Sequence, residues 1–318
     1  METDSSPPLQ LPRLSSVVVS GGTHGNELSG VYLVRDGAPL LQRPSFTART
    51  VLANPRAVER CSRYVDVDLN RCFTSATLSA PLTKDSPYEV KRAQELNSNL
   101  GPKGTAQAVD LLCDLHNTTA NMGVCLIGYS DSDWLSLQFY KYLQARAMKM
   151  SHVPVRFLIF NLPPSESYSL ESVGKHGFAI EVGPQPQGVL RADIFIQMKE
   201  GITHLLDFIE LFNTGTVFPS CEVDMYRSVG NIDYPRDPRT QHIAAAVHPD
   251  RQDRDFSLLS PGDALFLSFS GETLPYTGER ALYPYFINEG AYYEKGIALS
   301  LAERYTVQVP SIMAQSEG

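Results

Sequence analysis

One tryptophan and five cysteines stand in 318 residues. Cys61, Cys72, Cys113, Cys125 and Cys221 are odd in number, scattered and never two residues apart. That pattern excludes a disulfide framework and reads as reduced thiols in a cytoplasmic protein. A run of about eighteen apolar residues is also missing, so no transmembrane helix is expected. Positive charge is not in excess. A formal net charge of −8 and a pI near 5.4 argue against nucleic acid or an anionic membrane as main partner. An anionic small molecule would need local arginines instead. Residues 1–13 are acidic and Ser/Pro-rich without an apolar core, which is no signal peptide and is expected to be a flexible tail. Beyond that tail there is no low-complexity segment and no internal repeat.

What is present suffices for a folded core. Hydrophobic residues make up 42% and charged residues 19%, too little charge for disorder. The length fits a large domain plus a smaller one. Up to about residue 214, strand and helix patterns alternate. Strands are expected near 17–19, 46–53, 108–115, 124–128, 155–160 and 178–182. Helices are expected over 28–34, 87–100, 134–148 and 190–212. This implies an α/β domain over 14–214, with a mainly parallel or mixed sheet covered on both sides. From 215 to 318 helical periodicity fades. Turn signals such as Ser260-Pro261-Gly262-Asp263 separate short runs, suggesting a small β barrel or sandwich appended to the first domain.

The stretch Val17-Val18-Val19-Ser20-Gly21-Gly22-Thr23-His24-Gly25-Asn26-Glu27 is the chemical centre of the chain. A β-branched strand feeds a glycine turn, and the turn delivers an imidazole and a carboxylate three residues apart. If Asn26 or Glu27 opens a helix, the two share a face and form half of a zinc site lacking one further protein ligand. His116 is the third candidate. It follows a buried strand, with Asp114 two residues earlier on the same side; an aspartate near a metal-binding histidine can fix its tautomer, though which carboxylate does so is not readable from the sequence. His152, His176, His204, His242 and His248 lack comparable context. Glu181 interrupts the apolar strand of Phe178-Ala179-Ile180-Glu181-Val182-Gly183-Pro184. A carboxylate there is costly unless paired or put to use.

These motifs extend into longer ordered matches: Gly-Gly-Thr-His24-Gly-Asn-Glu27, Asp-Val-Asp-Leu-Asn70-Arg71, Asp-Leu-His116-Asn-Thr-Thr, Glu181-Val-Gly-Pro-Gln-Pro-Gln-Gly and Asn288-Glu-Gly-Ala-Tyr292-Tyr-Glu-Lys. Over nearly its whole length the chain resembles the aspartoacylase and succinylglutamate desuccinylase family of zinc carboxypeptidase-like hydrolases, most closely the aminoacylase III branch. The resemblance implies one zinc per chain on His24, Glu27 and His116, with Glu181 as the general base. It further implies Arg63 polarising the scissile carbonyl, Asn70 and Arg71 gripping the substrate carboxylate, and Tyr292 contacting substrate. Three protein ligands leave zinc an open position, unlike the four-ligand, Cys-rich structural sites. A homo-oligomer, dimer or tetramer, is expected, in the cytoplasm or peripherally at a membrane.

One position departs from aspartoacylase itself. Glu171 stands where that enzyme has an arginine for its acidic substrate, and a carboxylate there would repel the side chain of N-acetylaspartate. The expected activity is deacetylation of N-acetyl aromatic amino acids and mercapturates (S-substituted N-acetylcysteines). The alternatives are N-acetylaspartate hydrolysis and, from another class, a zinc- and ligand-binding protein without turnover. Tyr168 is left unassigned, because its loop could slip by a residue.

Overall fold

The computed structural model describes residues 7–37, 41–150 and 153–316, the side chains of 147–150 excepted. In chain order the first part holds β1 (Leu9–Leu11), β2 (Ser16–Gly21), α1 (Leu28–Asp36), β3 (Thr47–Leu52), α2 (Pro55–Glu59), α3 (Ser75–Ser79) and α4 (Tyr88–Leu100). It continues through β4 (Leu111–Asn117), β5 (Gly123–Gly128), α5 (Trp134–Met150), β6 (Val155–Ile159), β7 (His176–Gly183) and α6 (Ala192–Asn213). The rest is β8 (Cys221–Ile232), β9 (Ala245–Val247), β10 (Ala264–Ser268), β11 (Thr273–Pro275), β12 (Tyr283–Tyr285), β13 (Leu299–Val309) and β14 (Ile312–Ala314).

A nine-stranded mixed sheet runs in the order β12-β13-β8-β6-β5-β7-β4-β2-β3. The β3, β2, β4 and β7 strands are parallel, and β5 joins β7 antiparallel. Side-chain alternation decides which face each residue serves. Val17, Val19, Cys113, Leu115, Phe178, Ile180 and Val182 enter the core that α1, α5 and α6 cover. Val18 and Leu112 turn to the other face, against Leu96 and Leu100 of α4. Ser20, Asp114 and His116 share parity with Val18 and Leu112, so buried polar residues of two neighbouring strands gather on one face.

Three expectations change in detail. The strand foreseen over 108–115 begins at Leu111 and runs to Asn117, so His116 lies inside it. The expected β-rich C-terminal part is present and holds a separate three-stranded sheet, β11-β10-β9, while its strands β8, β13 and β12 also join the sheet of the first part. β8 pairs with β6 through Leu158–Tyr226 and Ile159–Arg227, continuing the central sheet. The segment foreseen as a free tail contains a strand: Leu9, Gln10 and Leu11 pair in parallel with Ile312, Met313 and Ala314. Residues 1–6 of that segment lie outside the described residues.

Candidate active site

The turn after β2 is shaped by its glycines. Gly22 has φ +70, and a Cβ on Gly25 would lie 2.1 Å from the Ala57 carbonyl carbon. Only glycine fits the first conformation cheaply and the second approach at all. The helix begins at Leu28, after Glu27, so helical spacing does not bring His24 and Glu27 together. A turn does: the Glu27 N–H donates to the His24 carbonyl at 3.2 Å.

His24 Nδ1 lies 2.6 Å from Glu27 Oε1, and His116 Nδ1 lies 2.9 Å from Glu27 Oε2. One ligand atom from each of the three residues falls within 4.8 Å of the others, and all three residues are buried. The outer nitrogens are held as well. His24 Nε2 is 3.0 Å from Asp68 Oδ1, and His116 Nε2 is 2.8 Å from Asp114 Oδ2. Carboxylates behind both imidazoles fix ring orientation and leave both Nδ1 atoms facing inward, the arrangement a metal-binding pair needs. Asp114 is itself pinned by Ser20 Oγ at 2.5 Å and Thr23 Oγ1 at 2.8 Å. The donor set therefore fits a divalent cation of zinc type.

Glu181 sits beside His116 in register across β4 and β7. Its Oε1 is buried with no hydrogen-bond partner, and burial, reinforced by the nearby Glu27 carboxylate, raises its pKa well above the ordinary range. Glu181 forms no ion pair among the described residues. Arg63 reaches into the cluster, donating to Asp68 at 3.1 Å and to Glu27 at 3.4 Å. Its loop is shaped by Glu89 of α4, whose fully buried carboxylate accepts from the backbone of Val65, Asp66 and Val67 at 2.6, 3.0 and 3.2 Å. Arg71 lies with its guanidinium 4.5 Å over the Tyr168 ring and forms no carboxylate ion pair among the described residues. Asn70 Oδ1 accepts from the Leu170 N–H at 3.3 Å.

Tyr292 completes the opposite wall, with its ring 5.3 Å from that of Phe286. Burial pushes its hydroxyl up to about 12. The turn carrying it is held by Glu289, which accepts from the Thr118 hydroxyl, from Thr119 N at 2.8 Å and from Ala291 N at 2.9 Å. All nine residues singled out from sequence line one cavity: His24, Glu27, Arg63, Asn70, Arg71, His116, Glu171, Glu181 and Tyr292. Tyr168, Tyr129, Phe160 and Ile127 line it too, giving one side an aromatic character. Asp68 and Glu289 were not singled out. Asp68 stands in a quoted motif two residues before Asn70, and Glu289 three before Tyr292, but neither's role follows from spacing.

Glu171 is 2% exposed. Ser169 donates to one of its oxygens, and Oε2 has no partner. Burial, with Asp114 nearby, pushes its carboxyl up to about 7, so the repulsion foreseen for an acidic substrate depends on pH. The remaining histidines stay apart from the three donors. His176 is tied to Asp133 at 2.8 Å, His204 packs edge-on to Tyr142, and His152 lies outside the described residues.

A buried His-Glu-His cluster at the carboxyl ends of parallel strands, beside an unpaired glutamate, is a candidate metal centre of hydrolase type. The succinylglutamate desuccinylase/aspartoacylase catalytic domain matches residues 13–209, and the AstE/AspA barrel-sandwich hybrid domain matches residues 221–304. The chain belongs to the succinylglutamate desuccinylase/aspartoacylase family. Among its relatives, an N-acyl-aromatic-L-amino acid amidohydrolase (carboxylate-forming) of Danio rerio is 56% identical over 96% of this chain and 94% of its own. The Homo sapiens protein of that name is 53% identical over 96% of each. Aspartoacylase of Mus musculus is 43% identical over 94% of this chain and 96% of its own. The crystal structure of murine aminoacylase 3 superposes with a TM-score of 0.90 at 49% identity, covering 96% of this chain and 100% of that one.

Proposed function

We propose that this chain is a zinc-dependent amidohydrolase that removes the acyl group from N-acylated amino acids. In this reading N-acetyl aromatic amino acids and mercapturates are preferred over N-acetylaspartate. The observation that carries it is the meeting, in one buried cavity, of three converging metal donors, an unpaired buried glutamate and a guanidinium without a carboxylate partner. The names of relatives at 50–56% identity support the aromatic side chain.

His24, Glu27 and His116 hold the zinc, which when bound supplies Lewis acidity and a water acidic enough to attack near neutral pH. Arg71 and Asn70 take the substrate carboxylate, a planar guanidinium matching it bidentately. Arg63, anchored to Asp68, turns its charge toward the amide carbonyl oxygen, where negative charge develops. Glu181 accepts the attacking water's proton as the new C–O bond forms. It returns that proton to the amide nitrogen as the C–N bond breaks, leaving a carboxylic acid and an amine, and the acid's remaining proton passes to the amine to give carboxylate and ammonium. Tyr292 closes the cavity over the substrate.

Deacetylation rates on N-acetyltyrosine, an aryl mercapturate and N-acetylaspartate test the reading directly. Faster cleavage of N-acetylaspartate would make the chain an aspartoacylase in function, and no cleavage of any would leave a binding protein. Metal analysis of the His116→Ala protein tests the ligand set separately. Marked loss of zinc is expected, and full occupancy would overturn it.

A further inference from the structure

The catalytic cavity, which is partly open to solvent, offers about 50 Å³. Pockets that hold drug-sized ligands measure ~300–1,000 Å³, and 50 Å³ admits only a few waters. An N-acyl amino acid with a ring in its side chain needs more room. A second cavity of about 600 Å³ adjoins it. Tyr129 and Glu171 line both, so these two side chains form the partition between them.

Tyr129 Oη pairs with Ser169 Oγ at 2.8 Å and accepts from the backbone N–H groups of Tyr168 and Ser169 at 3.4 and 3.3 Å, and the Ser169 hydroxyl donates to Glu171. The 168–169 segment thus holds both leaves. Glu171 Oε2 is buried and unpaired, a rare state that marks a place where a ligand group can pair. Beyond the partition, the outer cavity presents Trp134, Phe157 and Leu162. Apart from Glu171, its ionic groups are already partnered. Lys175 pairs with Asp110, His176 with Asp133 and Asp131 with Arg227, and Lys103 donates to three oxygens. An uncharged, largely apolar group leaves those pairs intact and buries its surface against the aromatic and aliphatic side.

We propose that the outer cavity is a distal subsite for the substrate's side chain, entered past Tyr129 and Glu171 and filled by the uncharged aryl or alkyl substituent of an S-substituted N-acylcysteine. This rests on the amidohydrolase reading above. The cavity sets how long a side chain the enzyme accepts, while the inner residues handle the amide and the carboxylate common to all substrates.

Trp134 is the chain's single tryptophan, so its emission reports the outer cavity alone. In zinc-loaded Glu181→Gln protein, N-acetyl-S-(naphthylmethyl)cysteine is expected to change that emission saturably, and N-acetylalanine to leave it unchanged. Asn161 and Ser132 are exposed residues on the outer cavity's rim. Asn161→Phe should lower the kcat/KM ratio of the naphthylmethyl substrate to N-acetylalanine by about tenfold, within the range one lost pocket contact supplies. Ser132→Phe, from a different loop, should do the same and guards against a misfolded first variant. An unchanged ratio in both folded variants, or a silent Trp134 at saturating naphthylmethyl ligand, overturns the subsite. If the wild-type protein hydrolyses neither substrate, the amidohydrolase reading fails instead, and the Trp134 titration still decides the subsite.

Discussion

Glu181 and Glu171 are buried carboxyls of one cavity, each with an unpaired oxygen, and their surroundings assign them different work. Glu181 shares the face of the three metal donors. Glu181→Gln keeps the shape but cannot accept a proton, so kcat should fall ~10²–10⁴-fold while zinc content holds. Near wild-type kcat would remove Glu181 from the chemistry. Glu171 stands apart, at the partition of the side-chain pocket, with its carboxyl pushed up to about 7 by burial. Above that pH it is charged and repels a second substrate carboxylate; below it the neutral acid does not. Between about pH 6 and about pH 8 its neutral fraction falls from roughly nine-tenths to roughly one-tenth. The kcat/KM ratio of N-acetylphenylalanine to N-acetylaspartate should therefore rise roughly tenfold over that interval. Taking the ratio cancels titrations common to both substrates. A ratio flat with pH would mean Glu171 does not face the substrate side chain.

At the scale of elements, the site was legible wherever a motif is local. The glycine turn, the His24–Glu27 spacing, the strand carrying Asp114 and His116, and the lone carboxylate of β7 are each contained in a few residues. Their periodicity also announces the faces they serve. What the sequence did not disclose depends on distant partners. Asp68 matters because His24 lies 44 residues away, and Glu289 because Thr118 lies 171 away. Glu89 is another such residue, a helix glutamate that sequence would assign to solvent and that the fold buries under the loop bearing Arg63. Glu89→Ala leaves backbone donors of Val65, Asp66 and Val67 without their acceptor, a cost of ~1–3 kcal/mol for an unsatisfied buried group. Denaturant unfolding should register that loss, and KM should rise as Arg63 and Arg71 lose their setting. Reduced stability with unaltered KM and kcat would mean another contact sets the loop.

For the whole molecule, the two matched regions share packed cores. Val223, Met225, Val309 and Ile312 belong to the same core as Val17 and Phe178, and Tyr226, Phe256 and Tyr285 pack with Cys125 and Ala179. A fragment of residues 1–214 would expose the β6 edge and the part of that core that Val223, Met225, Val309 and Ile312 cover, and it would lack Tyr292. It should be aggregation-prone and show no cooperative melt by circular dichroism. A fragment that melts cooperatively and binds zinc one-to-one would refute the shared core. The pairing of Leu9–Leu11 with Ile312–Ala314 has a consequence in time. A ribosome adds ~5–20 residues per second, so β1 waits on the order of tens of seconds for β14 to be made. Through that interval the first strand is an open hydrogen-bonding edge, and a nascent chain protected there by a holding chaperone would reach its final form only after release from the ribosome.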